Sequence, residues 1–226
     1  MKNTDNNDIN LHTICGSVLP RDFYLAQTLD VAKSLLGCIL AVAEDAQVLK
    51  SALAEDGRIC LGGGGFKAGR IVETEAYLGF SDSAAHSYNK KPGGRSNAMF
   101  GECGHAYVYL IYGMYHCFNT VTQPRGVPEG VLIRALEPLA GEHFKSYSGP
   151  GKLCRQMGIS RSDYATDLTG SGRIAIVKPD DFSAPKIGVS HRIGVENSGE
   201  GAVLPYRFFD SGSKSVSRMR KGQSQE

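Results

Sequence analysis

Polar and apolar residues alternate from Arg70 to Tyr77, and this alternation predicts a β-strand. The residues from Leu78 to Asp82 have the composition of a turn, so the strand would end there. Successive side chains in a strand point to opposite faces. One face would pack against an apolar layer through Val72, Thr74 and Ala76. The other face would carry two carboxylates and a phenol, from Glu73, Glu75 and Tyr77.

The polar face of this strand has two interpretations. One face of an antiparallel sheet commonly meets water, so these three side chains could form an ordinary solvated surface. They could also form a site for acid–base chemistry, together with His86 nine residues after Tyr77. The alternation alone leaves both interpretations open.

The same kind of pattern predicts the other elements of the chain. Residues 23–36 have helical spacing, with Thr28 as the N-cap and Gly37 at the position that ends a helix. Residues 149–157 predict a turn followed by a short helix that Gly158 ends. Apolar or alternating runs predict strands at 38–43, 131–136, 173–177, 186–195 and 206–209.

The connection from Glu44 to Gly69 is glycine-rich and includes four consecutive glycines at positions 62–65. Glycine runs can cradle phosphate groups, but no Gly-Lys-Ser/Thr sequence and no helix start follow this one. We therefore expect a flexible hairpin loop.

A stretch rich in tyrosine, residues 107–115, predicts a β-hairpin whose tip is Tyr112-Gly113-Met114. Tyrosines on strands usually pack in a core or along an edge, whereas a tyrosine and a methionine at a tip have little core to join. Exposed apolar groups at such a tip are the kind of wedge that proteins insert into a base stack. Both interpretations remain open at this stage.

These elements together predict one α+β domain around a curved, mostly antiparallel β-sheet, with short helices and a protruding hairpin. The chain has 226 residues and 28 glycines, which suits a single compact domain with many turns. We expect residues 1–13 to be a disordered tail and residues 213–226 to be a flexible basic tail.

Composition narrows the classes further. The net charge of +2 is too small to indicate a nucleic-acid partner by itself. No apolar run reaches the roughly 20 residues of a membrane span, and residues 1–10 have no signal-peptide core, so we expect no membrane association and an intracellular protein. None of the six cysteines forms a Cys-x-x-Cys motif, and we expect all of them to be reduced and buried.

For several basic residues the sequence leaves two interpretations open. Lys90, Lys91 and Arg95 occupy a loop without acidic residues, which is either solvated or contacts phosphate. Lys152 lies near the start of the predicted helix 149–157, which is either an anion site or an ordinary amphipathic helix. Arg134 lies among apolar residues, so a buried position would require a carboxylate or phosphate partner.

Several of these stretches belong to one set of motifs. They are Val-Glu-Thr-Glu-Ala-Tyr-Leu-Gly (72–79), Ala-Ala-His (84–86), Tyr-Val-Tyr-Leu-Ile-Tyr-Gly-Met-Tyr (107–115), Asn119, Leu-Ile-Arg-Ala-Leu-Glu-Pro (132–138) and Gly-Pro-Gly-Lys-Leu-Cys (149–154). In this order they closely resemble the alkyladenine (3-methyladenine, or N-methylpurine) DNA glycosylases. The resemblance runs from about residue 23 to residue 209, and the connection 44–69 is longer than expected for that family.

The resemblance implies a monofunctional DNA glycosylase of the base-excision repair pathway, with its domain at residues 14–212. Such an enzyme flips an alkylated or deaminated purine out of double-stranded DNA, for example 3-methyladenine, 7-methylguanine, hypoxanthine or ethenoadenine. It hydrolyses the N-glycosidic bond and leaves an abasic site without cutting the strand. The resemblance also implies a compact mixed α/β fold rather than a helix-hairpin-helix fold, no cofactor, no metal, and a monomer. Localisation would be cytoplasm or nucleoid in a bacterium and nucleus in a eukaryote.

Roles for individual residues also follow from the resemblance alone. Glu75 matches the general base, while Arg134 and the backbone carbonyl of Ile193 match groups that hold the attacking water. The flipped base would be enclosed by Tyr77, His86 and Tyr109. Asn119 would disfavour ordinary guanine, and Tyr112 would fill the space that the nucleotide leaves. DNA backbone contacts would come from Lys90, Lys91, Arg95 and Lys152.

Two other classes of function could use some of the same residues. A metal-dependent hydrolase would have to use Glu73, Glu75 and His86, with His105 or His116 as a further donor, but their spacing fits no standard ligand pattern. A lesion-binding protein without catalysis would share the pocket but would not need Glu75. The role of Glu73 itself is not assigned.

Overall fold

The computed structural model describes residues 13–62, 65–139 and 143–217. Nearly all of the predicted N-terminal tail, residues 218–226 of the predicted C-terminal tail, and Gly63 and Gly64 of the glycine run therefore lie outside the described residues. Within the described part, the chain forms the α+β domain that the sequence predicts.

Among the described residues, ten strands form one sheet, in which every pair of hydrogen-bonded strands is antiparallel. The strands are β1 (Ile14–Val18), β2 (Ile39–Ala43), β3 (Arg58–Leu61), β4 (Phe66–Tyr77), β5 (Ala106–Ile111), β6 (Tyr115–Thr122), β7 (Glu129–Pro138), β8 (Ile174–Pro179), β9 (Ile187–Ser190) and β10 (Arg207–Asp210). Their order is β3-β1-β8-β2-β4-β7-β6-β5, and β10 pairs with both β4 and β9.

The central strand is β4, which is longer than predicted and has different neighbours along its length. Its first residues pair with β2, its whole second half pairs with β7, and Glu73 to Glu75 pair with β10 on the other side. The register against β7 shifts around Glu73, which marks a β-bulge. The half of β4 that carries the acidic residues is therefore enclosed by strands on both edges.

In the part of the chain that the structure describes, three α-helices cover the sheet: α1 (Thr28–Ser34), α2 (Ala46–Ala52) and α3 (Pro150–Met157). Helix α1 packs on β4, where the Thr74 hydroxyl donates a hydrogen bond of 2.8 Å to the Ala32 carbonyl. Helix α3 packs on β6 and β7 and ends at Gly158, whose φ of 68° is left-handed as predicted. The predicted start of α1 is wrong by one residue: Gln27 is the N-cap, and the Thr28 hydroxyl instead bonds the Thr122 hydroxyl.

The structure of the connection 44–69 was not predicted from the sequence, and the flexible loop expected at the four glycines includes Gly63 and Gly64, which lie outside the described residues. This connection contains α2 and β3, and it also contains the start of β4. Helix α2 begins at a good N-cap, because the Asp45 carboxylate accepts a 2.9 Å bond from the Val48 amide. Leu49 and Ile59 are buried in a second hydrophobic cluster with β2, and burying that apolar surface offsets the entropy of ordering the connection.

The prediction that all six cysteines are reduced is also wrong. Cys15 and Cys60 form a disulfide, since they lie directly opposite each other on the antiparallel strands β1 and β3. The sequence could not show this pairing because β1 and β3 were not predicted as strands. The other four cysteines are free and buried, as expected; they are Cys38, Cys103, Cys117 and Cys154.

Candidate active site

Glu75 is fully buried and accepts hydrogen bonds from three different parts of the chain. Its Oε1 accepts a 2.7 Å bond from the backbone N–H of Ile193. Its Oε2 accepts bonds from the Tyr77 hydroxyl at 2.8 Å and from Nη1 of Arg134 at 3.3 Å. The interpretation of a solvated strand face is therefore wrong for Glu75, and also for Glu73, which is equally buried.

Arg134 connects the two carboxylates. Its Nε donates to Glu73 at 3.1 Å, and its Nη1 lies 3.3 Å from Glu75 and 3.4 Å from the Ile193 carbonyl oxygen. Burial lowers the pKa of Arg134, but the charges of Glu75 and Glu73 outweigh this and hold that pKa above its ordinary value. The expectation that a buried Arg134 needs an acidic partner is confirmed.

A cavity of about 250 Å³ opens in front of this cluster. The residues that the sequence singles out meet here, and its walls include Tyr77, His86, Tyr109, Tyr112, Asn119, Arg134 and Ile193. Glu75 lies behind the wall, but all three of its donors line the cavity. Residues from distant stretches of the sequence thus form one aromatic pocket with a carboxylate directly behind it.

Aromatic side chains of the pocket contact one another, and His86 and Tyr109 meet edge to face. The rings of His86 and Tyr109 are 4.5 Å apart between centroids, at an interplanar angle of 72°. Nδ1 of His86 lies 3.1 Å from the Tyr107 hydroxyl. Asn119 is held as well, because its side-chain amide donates a 3.0 Å bond to the Tyr107 carbonyl. These contacts fix the orientation of the pocket walls before any ligand binds.

His86 is neutral at ordinary pH. Burial, and secondarily the charges of Arg95 and Lys90, lower the pKa of His86 to about 4. In the unfolded chain the pKa of His86 is about 6.5. Between the two pKa values the unfolded state therefore binds more protons than the folded state. The free energy of unfolding is therefore highest, as far as His86 contributes, above pH 6.5, and it decreases as the pH falls toward 4.

The lowered pKa of His86 predicts that the free energy of unfolding depends on pH. The free energy of unfolding of the parent, measured with urea at pH 7.0 and at pH 5.0, should be lower at the acidic pH. In a His86→Gln variant, the difference between the two pH values should be smaller, because glutamine does not titrate. An equal difference in the parent and in His86→Gln would contradict the assignment.

The hairpin formed by β5 and β6 carries the predicted exposed tip. Tyr112 and Gly113 have φ angles of 52° and 69°, and the Met114 amide donates a 3.2 Å bond to the Ile111 carbonyl. The side chains of Tyr112 and Met114 are 83% and 67% exposed. A tyrosine with positive φ is strained, so this tip holds an apolar ring in water at a conformational cost.

Arg192 and Asp82 form a further buried ion pair, which the sequence did not indicate. Both side chains are buried, and Nη2 of Arg192 donates to Asp82 and to the Gly201 carbonyl, each at 2.7 Å. The guanidinium carbon of Arg192 lies 4.6 Å from the centroid of the Tyr77 ring. An arginine beside the apolar residues of Arg-Ile-Gly-Val is the one signal in the sequence that could have pointed to this pair.

A second cavity, of about 420 Å³, adjoins the pocket across Tyr109. Its lining includes Arg95, Arg161, Asn97 and Tyr164. Among the described residues, neither arginine forms an ion pair with an acidic side chain. We call this cavity the basic cleft; the sequence indicated Arg95, but Arg161 was missed because it is distant in sequence.

The other predicted basic residues lie outside the lining of the basic cleft. Lys90 and Lys91 are exposed on the loop before Arg95. Lys152 is exposed on α3, two residues after Pro150, which lines the pocket. In the described part of the chain, no group of three His, Cys, Asp or Glu residues is arranged to hold a metal ion.

Comparison of the whole sequence with known protein families identifies the class of protein to which this fold and pocket belong. The family model described as methylpurine-DNA glycosylase matches residues 59–214, and the chain belongs to this family. Its members are hydrolases of N-glycosyl bonds that bind damaged DNA.

Individual relatives agree with this assignment. A protein of Methanocella arvoryzae named "Putative 3-methyladenine DNA glycosylase" is 44% identical over 217 residues, which cover 91% of this chain and 98% of the relative. A Bacillus cereus protein of the same name is 40% identical over 219 residues, covering 88% and 98%. In the residues that the structure describes, no helix is both long enough and apolar enough to cross a membrane.

Proposed function

We propose that the chain is a monofunctional glycosylase that flips alkylated or deaminated purine nucleotides out of duplex DNA and hydrolyses their N-glycosidic bond. The single observation that supports this most strongly is a buried carboxylate, Glu75, whose three hydrogen-bond donors all line an aromatic pocket. The proposed substrates are 3-methyladenine, 7-methylguanine, hypoxanthine and ethenoadenine, and the proposed active form is a monomer.

Glu75 is the proposed base. A carboxylate can accept about four hydrogen bonds, and three of these positions are filled. A water molecule would take the fourth and would also contact Nη1 of Arg134 and the Ile193 carbonyl, whose separation of 3.4 Å is long for a hydrogen bond. As the bond between C1′ and the purine nitrogen breaks and its electron pair leaves with the base, the Glu75 carboxylate stabilises the oxocarbenium-like charge on the sugar. Glu75 then accepts a proton from this water as the water oxygen bonds to C1′.

The aromatic pocket supplies recognition. A 3- or 7-alkylated purine is cationic, so it leaves the sugar readily and stacks well on the faces of Tyr77 and Tyr109. His86 is neutral, so it adds no charge that would repel a cationic base. Asn119, fixed by its bond to the Tyr107 carbonyl, crowds the purine 2-position and disfavours ordinary guanine, which lacks the positive charge of an alkylated base.

DNA binding requires compensation for unstacking one nucleotide, which costs a few kcal/mol. Tyr112 recovers part of this by stacking where the nucleotide was. Phosphate contacts contribute the rest, and the proposed groups are Lys90, Lys91, Arg95, Lys152 and Arg161. Arg95 and Arg161 are the strongest candidates, since both line the basic cleft next to the pocket and lack acidic partners among the described residues.

The basic cleft predicts a change in salt dependence. A plot of log affinity against log salt concentration has a negative slope. Replacing Arg161 by Gln should make that slope shallower by about 1 unit, because one fewer counterion is released on binding. The measurement is fluorescence anisotropy with undamaged duplex at several salt concentrations. Lys50→Gln on α2, on the side of the sheet near β3, is the matched control. An Arg161→Gln slope equal to that of the parent would remove Arg161 from the interface.

The proposed function itself is tested with a panel of duplexes that each contain one lesion. After incubation with the parent protein, we expect strand breaks only after alkaline cleavage of abasic sites. Breaks before alkali would contradict monofunctional action. Excision that stops in a chelator would support the metal-dependent hydrolase instead, and binding without any excision would support a lesion-binding protein without catalysis.

A further inference from the structure

Glu73 is a buried carboxylate to which the mechanism gives no role. Its Oε1 accepts bonds from Nε of Arg134 at 3.1 Å and from Nε of Arg207 at 2.6 Å. Its Oε2 accepts a 2.7 Å bond from the backbone N–H of Ser217. Glu73 is not in the lining of the pocket. It therefore reaches the pocket only through Arg134.

The position of Glu73 determines how Arg134 can approach Glu75. Arginine and carboxylate prefer a fork in which two parallel N–H groups meet both carboxylate oxygens. Arg134 does not do this with Glu75, because Nε is directed to Glu73 and only Nη1 lies near Glu75. The single long contact leaves an acceptor position on Glu75 free, and that position is the one the proposed water requires.

We infer that Glu73 is a positioning residue, which turns the guanidinium of Arg134 so that Arg134 cannot fork onto the catalytic carboxylate. Arg207 and Ser217 hold Glu73 in place from the other side. Arg207 in turn donates to Ser190 at 2.8 Å and to the Ser217 carbonyl at 3.0 Å. The chain near Ser217, five residues beyond the predicted domain limit, is thus part of the support for the site.

This inference rests on the proposed glycosylase function, and kinetics test it. In Glu73→Gln, the single-turnover rate constant for excision should fall by about 100-fold, as expected for a small misplacement of a reacting group. The affinity for a lesion duplex, measured by anisotropy, should stay the same because Glu73 does not line the pocket. In an Arg134→Lys background the same change should alter the rate by no more than about twofold, since lysine cannot form a fork.

Two further variants separate positioning from loss of folding. Glu73→Gln leaves one buried positive charge uncompensated, so Glu73→Gln/Arg207→Met, which removes one charge of each sign, provides a second measurement. It should show the same loss of rate. Asp163→Asn breaks a partly buried ion pair with Arg173, whose side chain is 23% exposed; neither residue lines the pocket or the basic cleft. This change should lower the melting temperature without changing the rate per folded molecule.

A crystal structure of Glu73→Gln gives a readout that does not depend on activity: Arg134 should contact both oxygens of Glu75. If the parent is active and the Glu73→Gln variant is folded and fully active, the inference is wrong and the proposed function still stands. Rate effects of Glu73 and Arg134 that add independently, or an unmoved Arg134 in the crystal, also overturn it. A parent that excises no lesion refutes the proposed function, and the position of Arg134 in the variant still decides the geometric inference.

Discussion

Replacing Glu75 by Gln should reduce the excision of hypoxanthine or ethenoadenine by about 1000-fold, within the range expected for loss of a general base. Glutamine has nearly the same shape and its amide oxygen can still accept from the Ile193 N–H. It carries no negative charge, however, so it can neither deprotonate water nor stabilise positive charge on the sugar. The measurement is a single-turnover rate with alkaline cleavage of the product.

The comparison needs controls for binding and for charge. Glu75 lies behind the pocket wall, so Glu75→Gln should bind a lesion duplex as tightly as the parent does. Glu55→Gln removes one negative charge from an exposed turn between α2 and β3 and should leave the rate unchanged. Excision by Glu75→Gln at the rate of the parent would refute the mechanism and favour a protein that binds lesions without this chemistry.

Changing Tyr112 to Asn should have opposite effects on function and on stability. Loss of the ring should weaken binding to a lesion duplex by about 10- to 100-fold, because stacking of one aromatic side chain on a base contributes roughly 1–3 kcal/mol. Asparagine tolerates a positive φ better than tyrosine, so the free energy of unfolding should rise by up to about 1 kcal/mol. Anisotropy and urea unfolding measure the two quantities.

Tyr112→Phe is the matched control for this prediction. It keeps the ring and the backbone strain, so both affinity and stability should remain near those of the parent. Val203→Ala removes a different exposed apolar side chain and should change neither quantity. Equal affinities for Tyr112→Asn and the parent would show that the tip does not insert into DNA.

Local patterns were sufficient to predict the strands that build the pocket. The alternation through Glu73, Glu75 and Tyr77 assigned these side chains to one face, and the structure agrees, because Glu73 and Glu75 both meet Arg134. The hairpin and its exposed tip also follow from composition, since Gly113 supplies a positive φ. In each case the deciding interactions lie within a few residues of sequence.

The features that the sequence did not predict depend on contacts between distant residues. The order of segment 44–69 depends on burial of Leu49 and Ile59 beside β2. The disulfide depends on β1 and β3 being neighbours. The burial of the acidic face depends on Arg134, Arg207 and the backbone N–H of Ile193, which come from distant parts of the chain and bond the two carboxylates. Alternation gives the face of a side chain, but only the tertiary fold determines what covers that face.

The Arg192–Asp82 pair joins parts of the chain that would otherwise move separately. Asp82 accepts from the Leu78 and Ala84 amides in the loop that leads to His86, and Arg192 directly precedes Ile193. Arg192 also bonds the Ala76 carbonyl at the end of β4. A cavity whose walls are tied together in this way loses little conformational entropy when a base enters. In the proposed function, the deformation that recognition demands would then be concentrated in the double helix, so that weakly paired nucleotides would be captured most easily.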